Sequence, residues 1–190
     1  STFQALARDS VEAYFHGVSI FRDDMRDALF SPGFKRRLAG HRALDVFHEH
    51  ARRADTDEPL ALVQYLDLQT YLVGDINTKV DRASMLSSLE VRAPLLDYRL
   101  IEFAFGKVPS RLKATPREKK TLLKRLTMRV LPPEFDRQRK QGFSIPLARW
   151  LRAGAFREMF HEVLLDPQTM FDRRTVRKLL AGQDRGRSNG

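Results

Sequence analysis

Apolar residues recur at helical spacing along most of the chain. The longest periodic run follows Asp57-Glu58-Pro59 and extends from Leu60 to about Ser87. Its apolar positions, which are spaced as on one face of a helix, are 60, 62, 63, 66, 68, 72, 73, 76 and 80. Gly74 lies within the run, where a glycine loosens or bends a helix. The pattern predicts one long amphipathic helix.

Shorter helices are predicted on both sides of this run. Ser10 can cap a helix over Val11–Phe15, and Ser31-Pro32 places a capping residue and a first-turn proline before a helix that extends to Leu38. Thr115-Pro116 predicts the start of a basic helix in the same way. The remaining predicted helices span 43–53, 94–105, 117–130, 147–151, 156–165 and 172–180. Because strand signals are nearly absent, the predicted fold class is mainly α.

Positive charge is concentrated in one part of this 190-residue chain. The formal net charge is +10, and the stretch from Lys107 to Arg152 alone carries a net charge of +11. Such a block indicates an anionic partner, such as nucleic acid, membrane headgroups or a nucleotide phosphate. The alternative is a solvated helix face that contacts an acidic neighbour.

Several classes of protein and of site are disfavoured by composition. No apolar run reaches 18 residues, so no membrane span is expected. The N-terminal residues do not resemble a secretory signal, and the absence of cysteine fits a cytoplasmic protein. His48 and His50 face different directions on a helix, so no metal site is expected. The polar end, 183–190, resembles a loop cut in mid-course.

Charged side chains are ordered along the second half of the long helix and just after it. Asp75, Lys79 and Arg82 fall on one helix face at i, i+4 and i+7, beside an apolar stripe. Such a face can line a cleft or tie the helix to a neighbour, and the residues alone leave both open for Asp75 and Lys79. For the charges flanking the turn that follows, ion pairing is the simpler prediction, for example of Arg82 or Arg92 with Glu90 or Asp97, with Asp81 in the same structural role.

A basic loop precedes the helix predicted at 147–151. In it Lys140 is followed by Gln141-Gly142-Phe143, and Phe143 and Ile145 can anchor the loop. A lysine ammonium binds phosphate as a point charge, and glycine lets the backbone approach a ligand closely. The alternative is a surface loop pinned by its apolar residues.

Together these segments resemble the C-terminal part of the asparagine synthetase family. The family's three motifs match, in order, Asp75 with Lys79–Met85, then Leu89–Asp97, then Lys140–Phe143 with Pro146 and Trp150-Leu151. One position departs from the pattern, because Gln138 stands where the family has arginine. The resemblance covers most of the chain from about Tyr14 onward. It implies the helical C-terminal part of an adenine-nucleotide α-hydrolase-like synthetase domain, without the parallel-sheet nucleotide-binding portion, so residues 1–190 form a single partial domain.

What the resemblance implies for function is an ATP-dependent amidotransferase. It would make asparagine from aspartate and glutamine-derived ammonia through an aspartyl-adenylate, with ATP and Mg²⁺ as cofactors bound by residues outside this chain. Lys140 matches the family's catalytic lysine, which is expected to stabilise developing negative charge. Asp75 and Lys79 fall where the synthetase cleft has polar residues, so they are the substrate-binding candidates. For Asp81, Arg82, Glu90, Arg92 and Asp97 the resemblance favours a structural role.

Other elements of the family are missing from these 190 residues. They include the N-terminal glutaminase domain with its cysteine, the Ser-Gly-Gly-x-Asp-Ser pyrophosphate loop and the acidic segment after it. The chain by itself is therefore expected to be inactive. Two alternatives remain open: a relative that closes β-lactams or lasso peptides by the same chemistry, and a basic helical nucleic-acid-binding module.

Overall fold

A computed structural model describes residues 10–135 and 146–184, and every structural statement below concerns these residues. They form short helices and no strand; the only β-type pairings among them are two isolated bridges, Phe30 with Phe171 and Ala114 with Lys119. The predicted mainly α class is thus confirmed for the described residues. None of the helices described is long and apolar enough to cross a membrane.

The α-helices are numbered in chain order. They are α1 (Ser10–Val18), α2 (Asp23–Leu29), α3 (Pro32–Leu38), α4 (Ala43–Arg53), α5 (Pro59–Gln69), α6 (Thr78–Met85), α7 (Tyr98–Gly106), α8 (Ser110–Lys113), α9 (Thr121–Val130), α10 (Leu147–Trp150), α11 (Ala155–Leu165) and α12 (Arg173–Asp184). A π-helix, Leu72–Asn77, precedes α6, and a 3₁₀ turn, Pro94–Leu96, precedes α7.

The described residues cluster into two compact units. Unit 1 comprises residues 10–18 and 44–135, and unit 2 comprises residues 19–43 and 146–184. The prediction of a single partial domain concerns the whole chain and stays a prediction.

The core of unit 1 forms where α1 packs against α5. Val11, Phe15, Leu44 and Leu66 are buried there, and Leu66 is 0% exposed. The Phe15 and Phe47 rings meet edge to face at 5.1 Å. Tyr14 adds a polar tie, because its hydroxyl donates to Asp67 Oδ1 at 2.6 Å. Burial, and then this hydrogen bond, raise the pKa of Tyr14, so the phenol stays protonated and keeps donating.

Unit 2 is closed by contacts between residues far apart in sequence. Phe30, between α2 and α3, stacks on Phe171 at 6.4 Å and meets Phe34 edge to face at 5.0 Å. The backbone is paired at the same place, since Ser31 N–H donates to the Met170 carbonyl and Asp172 N–H to the Leu29 carbonyl. The helix predicted from Ser31-Pro32 begins as expected, because the Ser31 hydroxyl accepts from Phe34 N–H at 3.3 Å.

The predicted start of the basic helix at 117 is wrong. The Thr115 hydroxyl does accept from Glu118 N–H, as a helix cap would, but that bond closes a tight turn whose ends, Ala114 and Lys119, form a bridge. Lys120 then adopts a left-handed conformation with φ 60°, so the α-helix begins only at Thr121. For two short helices, α2 and α8, the sequence analysis predicted no bounds.

Candidate functional site

The long periodic run from residue 60 to 87 forms as three consecutive pieces. Helix α5 ends at Gln69, the π-helix carries Gly74 and Asp75, and α6 carries Lys79. The expected loosening at Gly74 therefore takes the form of a widened helical turn. π-turns within helices occur frequently at functional sites. The π-turn therefore supports a functional role for this segment, which carries the two substrate-binding candidates, Asp75 and Lys79.

Asp75 and Lys79, which the sequence pattern places on one helix face, contact each other. The Lys79 ammonium lies 2.8 Å from the Asp75 carboxylate. The Asp75 side chain is 34% exposed and that of Lys79 is 53% exposed. A pair this open gains little from its own attraction and leaves both groups accessible to a ligand. The two groups together present one positive and one negative charge, which suits a zwitterionic amino acid.

The hydrogen bond to Asp75 raises the pKa of Lys79 above its ordinary value. Loss of solvent around the ammonium is the next largest effect and acts in the opposite direction, but it is smaller. We expect Asp75→Asn to lower the pKa of Lys79, measured through the side-chain resonances in an NMR titration. Because the pKa is raised on folding, the pair stabilises the folded chain fully below the ordinary lysine pKa and loses this effect as pH rises through the raised value. An unchanged Lys79 pKa in Asp75→Asn would contradict the pairing.

The charged side chains after α6 form one of the predicted ion pairs and one that was not predicted. Glu90 pairs with Arg92, as proposed among other options, but both side chains are well exposed. Asp97 pairs with Arg99 at 2.8 Å and also accepts from Arg99 N–H, which caps α7. The Arg99 guanidinium and then the Arg99 amide lower the pKa of Asp97. Within the described residues Asp81 and Arg82 form no ion pair.

Arg99 was the partner that sequence reasoning missed. Its signal was present, since Asp97-Tyr98-Arg99 opens a helix and an N-cap carboxylate reaches a side chain two residues later as well as the backbone. The segment from Met85 to Phe105 also exposes many large apolar side chains. Its exposed large apolar residues are Met85, Leu86, Leu89, Val91, Leu95, Tyr98, Leu100, Phe103 and Phe105.

The catalytic candidate Lys140, with its neighbours from Arg137 to Ile145, lies outside the described residues. The structure describes residues 107–135 and 146–152 of the basic block, and in the first of these stretches Lys124 pairs with Glu118 at 3.3 Å. Lys113 has a different environment, because its ammonium lies 4.9 Å from the Phe105 ring centre and donates to Gln64 Oε1. Lys113 therefore ties α8 to α7 and α5.

The described residues do not bring a set of metal ligands together. Among them no group of three or more His, Asp or Glu side chains is placed to hold a metal ion.

Comparison with known proteins gives one consistent result. The family model described as asparagine synthase matches residues 3–190. A protein of Mycobacterium tuberculosis (strain ATCC 25618 / H37Rv), whose name places it among the glutamine-hydrolysing asparagine synthetases, is 38% identical over 101 residues, which are 53% of this chain and 15% of that protein. Asparagine synthetase (glutamine-hydrolysing) 1 of Bacillus subtilis (strain 168) is 27% identical over 161 residues, 83% of this chain and 24% of that protein.

The matched region is a small share of each relative. The chain spans between 15% and 24% of the length of these curated proteins. No solved structure matches it.

Proposed function

This chain belongs to the asparagine synthase family, and we propose that it is the helical part of a glutamine-hydrolysing asparagine synthetase, referred to below as the full-length enzyme. The family's domain is of the adenine-nucleotide α-hydrolase type. The observation that carries the proposal is the family match over residues 3–190, together with curated relatives that are named asparagine synthetases.

The proposed reaction has two steps. The side-chain carboxylate of aspartate attacks the α-phosphorus of ATP, so that an acyl–phosphate bond forms and pyrophosphate leaves. Ammonia released from glutamine then attacks the acyl carbon, the bond to AMP breaks, and asparagine forms after loss of a proton. ATP and Mg²⁺ are the proposed cofactors, bound by other parts of the full-length enzyme, which we place in the cytoplasm.

Lys140 is the proposed catalytic residue. In the first step negative charge accumulates on the oxygens around the α-phosphorus and on the departing pyrophosphate. A fixed ammonium close to these oxygens lowers the energy of the transition state more than that of the bound substrates, since the charge is greatest there. The support for this role is the match of Lys140-Gln141-Gly142-Phe143 to the family's lysine motif.

Asp75 and Lys79 are the proposed substrate-binding residues. Their 2.8 Å contact and partial exposure support the proposal, because an incoming amino acid can exchange partners with a pair that is already ordered. The aspartate ammonium would take the place of Lys79 beside Asp75, and an aspartate carboxylate would take the place of Asp75 beside Lys79. The pre-arranged pair thus keeps both charges oriented before substrate arrives.

The experiment compares two proteins in one assay. The full-length enzyme is expected to release pyrophosphate from ATP only when aspartate is present and to form asparagine when ammonia or glutamine is added. The 190-residue chain alone is expected to do neither. Pyrophosphate release by the full-length enzyme with a β-amino acid or a peptide acid, but not with aspartate, would overturn the asparagine assignment. Turnover by the 190-residue chain would overturn its proposed inactivity.

A further inference from the structure

The helical run changes its hydrogen-bond pattern at the point where the candidate pair begins. Residues Leu72–Asn77 form a π-helix, in which each turn holds more residues than an α-helical turn, and α6 follows without a break at Thr78. Asp75 lies inside the widened segment and Lys79 lies two residues beyond its end. The two charges of the pair therefore straddle the junction between the two kinds of helix.

Thr78 occupies this junction and is hydrogen-bonded to two carbonyls of the widened turn. Its backbone N–H donates to the Asp75 carbonyl. Its hydroxyl donates to the Val73 carbonyl, five residues back, at 2.9 Å. Serine and threonine hydroxyls in α-helices usually bond three or four residues back, so a bond over five residues matches the spacing of the π-turn.

The widened turn changes the angle about the helix axis at which the residues after it face, relative to the residues before it. An α-helix advances about 100° per residue, so adding or removing one residue in a turn rotates everything after it by about that angle relative to everything before it. If the π-turn closed into an α-turn, Lys79 would move by this amount around the axis relative to α5. The direction in which the pair faces thus depends on the widened turn.

We propose that Thr78 is a positioning residue for Asp75 and Lys79, and that its side-chain hydroxyl holds the π-turn that aims this pair at aspartate. The inference rests on the proposed substrate-binding role of the pair. Thr78 itself touches no substrate in this scheme. Its hydroxyl acts through the Val73 carbonyl and its amide through the Asp75 carbonyl.

The test uses two substitutions that differ in one group. Thr78→Val keeps the shape and the β-branch but removes the hydroxyl, whereas Thr78→Ser keeps the hydroxyl. In the full-length enzyme Thr78→Val is expected to raise the KM for aspartate about tenfold or more, because small misplacements of positioned groups have effects of this size or larger. The KM for ATP is expected to stay unchanged, and Thr78→Ser is expected to remain within about twofold of the parent.

A second measurement separates positioning from helix stability. In the 190-residue chain, Thr78→Val is expected to lower the pKa of Lys79 and to speed hydrogen exchange of the amides in Leu72–Asn77, while Thr78→Ser changes neither. Equal loss of thermal stability in both variants with an unchanged KM for aspartate would show a purely structural role and overturn the inference.

Asp75→Asn, assayed in parallel, separates the proposed binding role of Asp75 and Lys79 from the proposed positioning role of Thr78. If Asp75→Asn raises the KM for aspartate and Thr78→Val does not, the pair binds substrate and the positioning role of Thr78 is wrong. If Asp75→Asn leaves the KM unchanged, the proposed binding role of the pair is wrong, and the positioning role is overturned with it.

Discussion

Lys140→Ala in the full-length enzyme is expected to lower kcat for aspartate-dependent pyrophosphate release about 10²–10³-fold, the usual effect of removing one preorganised group that stabilises transition-state charge. The KM values for aspartate and ATP are expected to change far less, because the ammonium is proposed to act on charge that develops during the reaction. The melting temperature is expected to stay unchanged, since a lysine that faces phosphate contributes little to the fold.

Two controls make this result specific. Lys107→Ala removes an exposed lysine from the same basic block and is expected to leave kcat unchanged. Lys140→Arg keeps the charge but replaces a compact ammonium with a planar guanidinium, so we expect a partial loss. Equal small effects of Lys140→Ala and Lys107→Ala on kcat would contradict a catalytic role for Lys140. Lys140 would then contribute only to the overall positive charge of the basic block.

Leu66→Ala is expected to lower the free energy of unfolding of unit 1 by about 2–5 kcal/mol, the range for deleting a large buried side chain. Leu66 is 0% exposed and lies where α1 and α5 pack, so the substitution leaves a cavity that the short helices around it cannot fill without moving. Urea unfolding followed by far-ultraviolet circular dichroism measures the loss.

The matched control is Leu86→Ala, which makes the same chemical change at a side chain that is 89% exposed. It is expected to change the free energy of unfolding by less than about 0.5 kcal/mol.

The chain has one tryptophan, Trp150, in unit 2, where it stacks on Phe156 at 5.0 Å. Its fluorescence therefore follows unit 2 directly, and a Leu66→Ala effect seen in circular dichroism but not in fluorescence would assign the loss to unit 1. Equal effects of the two alanine variants would contradict the assignment of Leu66 to the core.

Local signals were sufficient wherever the neighbouring residues alone fix the backbone. Ser31-Pro32 predicted its helix because the cap and the proline both act within one turn. Helix α4 begins and ends where it was predicted, at Ala43 and Arg53. Asp75 and Lys79 were predicted to share a helix face, and on that face they form an ion pair.

Sequence reasoning failed where a local signal has two outcomes. The Thr115 hydroxyl can cap a helix or close a tight turn, and only the left-handed backbone of Lys120 decides between them. Gly74 predicted a weak point in the long helix, but glycine does not specify a π-turn, which Thr78 supports from four residues away. Contacts between distant residues left no local signal either: Asp23 pairs with Arg26 and also with Arg42, which lies 19 residues away in sequence.

The pairing of Phe30 with Phe171 has a consequence for synthesis on the ribosome. Unit 1 contains its own core partners, α1, α4 and α5, within a short stretch of chain, so it can fold soon after these residues emerge. The first half of unit 2 must instead wait for about 130 further residues before its aromatic partner exists. Translation order thus imposes a folding order, in which Phe30 has only its local ring partner Phe34 until Phe171 has been synthesised.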